Sequence, residues 1–404
     1  MSFLNRIHLI SRLRIKVNRT AMRLLPLPRP FTYVGADASL ALCRHIAGSG
    51  IERILVVTDR GLARLGLLQP MLDVLRAGGI EATVFSEVEA DPGHELILAG
   101  VRQLDACQAQ ATIAIGGGSS LDCAKAILLC QANRRHPSEL VGVWLYARSR
   151  RGVLPFYAVP TTAGTGSEVT IAAVVSDPAA RTKAAIVDPK MVPVMVALDP
   201  KLTVGLPPFL TACTGMDALT HAVEAYLSTM ATPETDGLAR GAVTMILRNL
   251  PVAYRAGGDL GAREEMLVGS CMAGMAFTRT GVGYVHAFAH QLGALYHLPH
   301  GLANAILLPH LLELMKPACT ARLAELGKAA ALPEATPPVQ ADAFIARIRS
   351  MNAEMGIPGR IDPLRRLDFD AIIRRAFGEA HGTYGVPRYL DHGQALELLS
   401  RLLP

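Results

Sequence analysis

The sequence predicts two folds in one chain: an α/β domain on a parallel sheet, then an all-α domain. Three observations predict this. Short β-branched runs alternate with longer helical stretches from Phe31 to Asp199. Segments rich in glycine or hydroxyls, 116–118 and 160–170, directly follow two of those runs. Past Leu206 the β-branched runs stop and helical patterns continue to the C-terminus. A length of 404 residues also exceeds one ordinary core. The expected division is a basic, apolar N-terminal extension (1–30), an α/β domain (31–205) and a helical domain (206–404).

Within the α/β part, "RILVVTD" (53–59) reads as a buried strand and "LARLGLLQPMLDVLRAGG" (62–79) as one helix ended by glycines. "EATVFSEV" (81–88) and "ATIAIGGG" (111–118) are further strands, the latter running into glycines; "FYAVPTT" (156–162) and "VPVMVALD" (192–199) follow. "VTIAAVVSD" and "TKAAIVD" flank "PAAR" and are expected as a β-hairpin inserted in the same layer. "ALPEATPPVQA" (331–341) is expected to be a loop between helices.

Half of the residues are hydrophobic and 18% are charged, which suits a compact protein. Seven scattered cysteines with no CxxC argue for reduced thiols and a cytoplasmic setting. The net charge of +6 belongs to the extension: residues 1–30 carry Arg6, Arg12, Arg14, Lys16, Arg19, Arg23 and Arg29 and no acid. Without them 33 basic and 34 acidic residues remain, so nothing in the body asks for nucleic acid. The extension reads in three ways: a helix in weak contact with a membrane surface through residues 1–28, a mitochondrial presequence, or a segment packed on the first domain.

A strand ending at Ile115, a glycine turn and a new helix together make an anion site. Ser119, Ser120 and Asp122 are expected to cap that helix; a plain strand-to-helix turn is the competing reading. "PTTAGTGSEVT" (160–170) offers the hydroxyls of Thr161, Thr162, Thr165 and Ser167 after a second strand, where a ligand crevice or a solvated loop is expected. Asp59, at a strand end, suits either a ribose hydroxyl or a helix N-cap. In the helical half, Asp217 and His221 stand one turn apart on one helix face, and His286 and His290 repeat that spacing. His297 and His300 complete a cluster of four histidines in fifteen residues. A carboxylate with two or three imidazoles suits a divalent first-row metal. Spacing leaves open which of the four histidines bind.

Four segments carry a resemblance: "GGGSSLDCAKA", "PTTAGTGSEVT", "GMDALTHAVEAY" and "GVGYVHAFAHQLGALYHLPHGLANAILLPH". In content, order and separation they resemble the iron-containing (group III) metal-dependent alcohol dehydrogenase family, over about residues 30 to 402. The resemblance implies a dinucleotide-binding α/β domain, an all-helical metal-binding domain and an active site in the cleft between them. It implies an NAD(H)-linked dehydrogenase or aldehyde reductase that moves hydride between a small primary alcohol or diol and nicotinamide. It also implies Fe2+, with Zn2+ as the alternative ion, and a homo-oligomer. The ligands would be Asp217, His221, His286 and His300, with His290 in proton transfer and no role for His297 or His310. Cofactor contacts would come from Asp59, which favours NAD over NADP, and from Gly117, Gly118, Ser119, Asp122, Thr161, Thr162, Thr165, Thr170 and Lys183. Phe277 and Ala172 would line the substrate pocket.

The chain departs from the family pattern at "DPG" (91–93), at "VPR" (386–388) and at Ala172, where an asparagine is common. These departures bear on the adenosine contact and on substrate identity. The rival activities are a glycerol-dehydrogenase-like polyol enzyme, a hydroxy-acid dehydrogenase and a dehydroquinate-synthase-like lyase. The lyase needs a cluster of Lys and Arg that the segments around Asp217 and His286 lack.

Overall fold

A computed structural model describes residues 3–142, 152–177 and 182–404, without the side chains of 3–9, 177, 182 and 183. "PAAR" therefore lies outside the described residues, and Lys183 is described in its backbone only. The chain divides into two compact units. One comprises 27–206 with 258–271; the other comprises 1–26, 207–257 and 272–404.

The first unit holds the sheet. Its elements are β1 (Phe31–Val34), α2 (Ala38–Ala47), β2 (Arg53–Asp59), α3 (Arg60–Arg64), α4 (Gln69–Ala77), β3 (Glu81–Val88), α5 (His94–Ala106), β4 (Ala111–Gly116), α6 (Gly118–Asn133), α7 (Pro137–Leu140), β5 (Phe156–Pro160), β6 (Ala172–Asp177), β7 (Thr182–Val187) and β8 (Met195–Leu198). α1 (Phe3–Leu24) precedes them in the chain. Six strands pair in the order β1-β8-β5-β4-β2-β3, all parallel. β4 and β5 are buried along their whole length, which explains their unbroken apolar runs. Ile54, Val56, Ile113, Ile115 and Val159 form the core against Leu42, Ile46, Met71 and Leu75 of the covering helices.

Two expectations are corrected here, and one strand is added. The stretch 62–79 is two helices, because Gly66 takes a left-handed φ of 71° and Pro70 opens the second. The hairpin β6–β7 pairs antiparallel as its own two-stranded sheet, outside the six-stranded layer. β1, an edge strand of only four residues, carried too little pattern to be read.

The second unit is helical: α8 (Pro208–Leu227), α9 (Pro233–Arg255), α10 (Leu260–Thr280), α11 (Tyr284–Tyr296), α12 (His300–Ala329), α13 (Pro337–Glu354), α14 (Phe369–Ala380) and α15 (His392–Arg401). The first half of α10 groups with the sheet unit. α13 starts inside the expected loop 331–341, with Thr336 as its N-cap and prolines opening its first turn. α1 groups with the helical unit and not with the first domain: the Arg279 guanidinium donates to the Met22 carbonyl at 3.1 Å, and Arg14 lies against Gly382. Among the described residues no helix is long and apolar enough to cross a membrane, and all seven cysteines are free thiols.

Candidate metal and dinucleotide sites

In the helical unit, α8, α11 and α12 bring the histidine cluster together. Asp217, His221 and Glu224 share one face of α8. α12 approaches α8 so closely that a Cβ on Gly301 would lie 2.4 Å from the Cys213 carbonyl oxygen, so only glycine fits beside His300. His286 Nε2 lies 2.9 Å from His221 Nε2 and 3.7 Å from Asp217 Oδ1; His300 Nε2 lies 3.5 Å from the same oxygen. Ligand atoms of Asp217, His221 and His286 all fall within 4.8 Å of one another, and all three residues are buried. Phe277 stacks on the His221 ring at 4.2 Å, which puts an apolar wall against the cluster.

Two residues that the sequence reading missed organise this cluster. Glu224 accepts from His286 Nδ1 at 2.7 Å and from the backbone N–H groups of Gly283 and Val285 at 2.8 and 2.7 Å. Burial pushes its carboxyl up to about 7, while those two N–H groups pull it down. Burial likewise holds His286 well below the usual imidazole range. With Nδ1 tied to Glu224, the Nε2 lone pair is left facing the cluster. Asn304, one turn after His300, donates from Nδ2 to Asp217 Oδ1 at 2.6 Å. That nitrogen also lies 3.2 Å from His286 Nε2 and 3.1 Å from His300 Nε2, and Asn304 Oδ1 is buried with no partner. Two amide hydrogens cannot serve three acceptors. Lone pairs converging on one buried point are what a divalent cation satisfies, so this residue set fits a metal. Glu224 was legible as the residue seven after Asp217 on the same face; Asn304 carried no comparable signal.

His290 stands apart from the ligand atoms. Its ring stacks on His300 at 5.4 Å, and its Nδ1 lies 2.7 Å from Glu379 Oε1. Glu379, from α14, also accepts from the Tyr384 hydroxyl at 2.7 Å and from Gln291 Nε2 at 3.0 Å. His297 is an exposed residue that ends α11 with a left-handed φ of 54°. His310 lies ten residues along α12 from His300.

In the sheet unit, β5, β4 and β2 are neighbours and parallel, so the segments after them emerge at one edge. α6 begins with Gly117 as N-cap and no side-chain cap, which corrects the capping expected from Ser119, Ser120 and Asp122. A Cβ on Gly118 would lie 2.7 Å from Thr165 Cγ2, and one on Gly117 would lie 3.5 Å from Thr162. The glycine turn and the threonine loop are therefore packed together, with Thr161 N donating to Gly116 O at 3.0 Å. Asp91 N approaches Ser119 Oγ at 3.4 Å, so the "DPG" loop lies beside the helix start. Asp59 caps α3, its Oδ1 accepting from Leu62 N at 2.9 Å.

Lys125 was also missed. Its ammonium is fully buried and lies 2.6–2.9 Å from four acceptors, Ser167 O, Ser167 Oγ, Thr170 Oγ1 and Ala172 O, among which its three hydrogens are shared. Asp122 completes the clamp, accepting from Ser167 Oγ at 2.5 Å and from Val174 N at 2.9 Å. Asp122, Ser167, Thr170 and the Ala172 carbonyl are thus engaged in shaping the loop. Burial lowers Lys125 to about 8 and raises Glu168 to about 7.

Comparison with known proteins matches residues 30–200 to the iron-containing alcohol dehydrogenase family and 211–403 to the C-terminal part of Fe-containing alcohol dehydrogenases. Alcohol dehydrogenase 4 of Saccharomyces cerevisiae is 36% identical over 359 residues, covering 87% of this chain and 91% of the relative. The NAD-dependent methanol dehydrogenase of Bacillus methanolicus is 35% identical over 352 residues, covering 86% and 92%. The crystal structure of 1,3-propanediol oxidoreductase superposes with a TM-score of 0.89 at 34% identity, covering 94% of this chain and all of that one.

Proposed function

Since the chain belongs to the iron-containing alcohol dehydrogenase family, an oxidoreductase family that uses NAD(H) and Fe2+, we propose that it interconverts a small primary alcohol or diol with its aldehyde. The observation that carries this is the convergence of Asp217, His221, His286 and His300 in the helical unit. The relatives named for methanol and for 1,3-propanediol support the substrate class.

A divalent ion held by these four residues would supply a Lewis acid that favours the deprotonated alcohol, and a bound nicotinamide would supply the hydride acceptor. The protein does the rest. Glu224 keeps His286 in the tautomer that binds, and Asn304 orients Asp217. Phe277 excludes water beside His221. His290 takes the hydroxyl proton; Glu379 holds its Nδ1, so Nε2 is the atom that receives it. In the sheet unit, the free N–H groups after Gly117 take the pyrophosphate, with Ser119 beside them. Thr161, Thr162 and Thr165 line the nicotinamide half, with Thr170 and Asp122 shaping it, and Lys183 is assigned to the cofactor contacts by the family resemblance alone. Asp59 favours NAD: the oxygen not capping α3 accepts from the ribose. Ala172, at the start of β6, shapes the substrate pocket. The enzyme works in the cytoplasm as a homo-oligomer, with residues 1–28 its candidate for weak membrane-surface contact.

A panel of alcohols and diols, followed by NADH absorbance with Fe(II) and Zn(II) in parallel, tests this reading. Turnover of a short primary alcohol or diol is expected, and no turnover of any member with either ion overturns it. His290→Ala is expected to keep the metal and lose about 100-fold or more in turnover.

A further inference from the structure

α1 precedes the first residue matched by the family, at position 30, so the family's reaction does not account for it. One face of the helix is anchored: Ile15 and Ser11 are 6% and 5% exposed, and Ser11 hydrogen-bonds Tyr389. The opposite face is bare. Ile10, Leu13, Val17 and Leu24, at spacings that keep them in one stripe, are 56%, 63%, 60% and 78% exposed. A monomer seldom leaves such a stripe uncovered without a use for it.

The charges choose the occupant. Arg12, Lys16 and Arg23 run along one flank of the stripe and Arg14 lies on the other, all exposed. No acid occurs in residues 1–36. Two copies packed stripe to stripe would set these cations against each other with no carboxylate on either helix to compensate. An apolar stripe between cations instead matches the boundary of a bilayer, where side chains enter the acyl region and cations meet headgroup phosphates.

We propose that the outer face of α1 docks the enzyme on a membrane surface carrying anionic phospholipid. This rests on the reading of residues 1–28 as a surface-contact segment and names its partner. Attachment through one such helix is weak and reversible, so enzyme would exchange between the surface and free solution.

Vesicle co-sedimentation of the full chain tests it, with phosphatidylcholine alone against phosphatidylcholine mixed with phosphatidylglycerol, at low and high salt. Binding to the mixed vesicles is expected, weakening as salt rises. The double variant Leu13→Gln, Val17→Gln should bind about 10-fold less. The triple variant Arg12→Gln, Lys16→Gln, Arg23→Gln should bind about 100-fold less. Both should keep wild-type alcohol-dependent NADH formation and melting temperature, which separates lost docking from lost folding. Equal binding to both vesicle types would overturn the anionic partner while leaving surface contact standing. No binding to either would overturn both. A dimer in light scattering that Leu13→Gln, Val17→Gln dissociates, without vesicle binding, would show the stripe to be a self-association face.

Discussion

The two candidate functional regions are built from opposite materials. The cluster in the helical unit is made of side chains: four candidate ligands from three helices, tied by Glu224 and Asn304. The region at the sheet edge is made of backbone: a glycine turn against a threonine loop, with side chains serving as scaffold through Lys125 and Asp122. The first can be emptied by changing one atom type. The second fails only when the loop loses its shape. A cation needs directed lone pairs, which rotamers supply; a dinucleotide needs close approach and N–H groups, which only bare backbone supplies.

Substitutions can separate the two. The largest effect is expected from His286→Ala, which should abolish metal retention by elemental analysis while NAD binding persists; a metal-replete variant would refute the ligand set. Lys125→Met should do the reverse. It leaves buried acceptors without a donor, costing about 3–5 kcal/mol of stability and weakening NAD binding, with metal content retained. Calorimetric melting with NAD titration checks it, and loss of metal together with NAD affinity would erase the distinction drawn above. Glu224→Gln should preserve the fold but lower metal affinity about 10- to 100-fold, read by competition with a chelator.

The smallest effect concerns Glu168. Its carboxyl is raised to about 7 by burial, so the folded state holds the proton more tightly than the unfolded chain does. Its contribution to stability is full at acid pH, below the ordinary carboxyl range. That contribution is lost as pH rises through about 7. Melting curves from pH 5 to pH 8 should show a decline of a few degrees that Glu168→Gln removes. An identical slope in the variant would assign the pH dependence to other groups.

Much of the fold was legible because parallel strands buried on both faces leave unbroken apolar runs, as β2, β4 and β5 do. Local breaks were harder. The interruption at Gly66 sits inside a pattern that remains amphipathic on both sides, and β1 is too short to show periodicity. In the site, helix spacing alone placed Asp217 beside His221 and His286 beside His290. It could not show that His286 Nε2 meets His221 while His290 turns to Glu379, because that depends on how α8, α11 and α14 pack.

The sequence by itself determined the alternation of strand and helix, the glycine turn after β4, the one-turn spacings of the histidines and the acid-free basic extension. All of these are properties of neighbours along the chain, set by backbone geometry and residue type. Only the tertiary structure decided that Asn304 would reach Asp217 from another helix, that Lys125 would be sealed under the threonine loop, and that α1 would bury Ile15 while leaving Leu13 bare. Those outcomes depend on which side chains lose water together, and sequence separation carries no information about that.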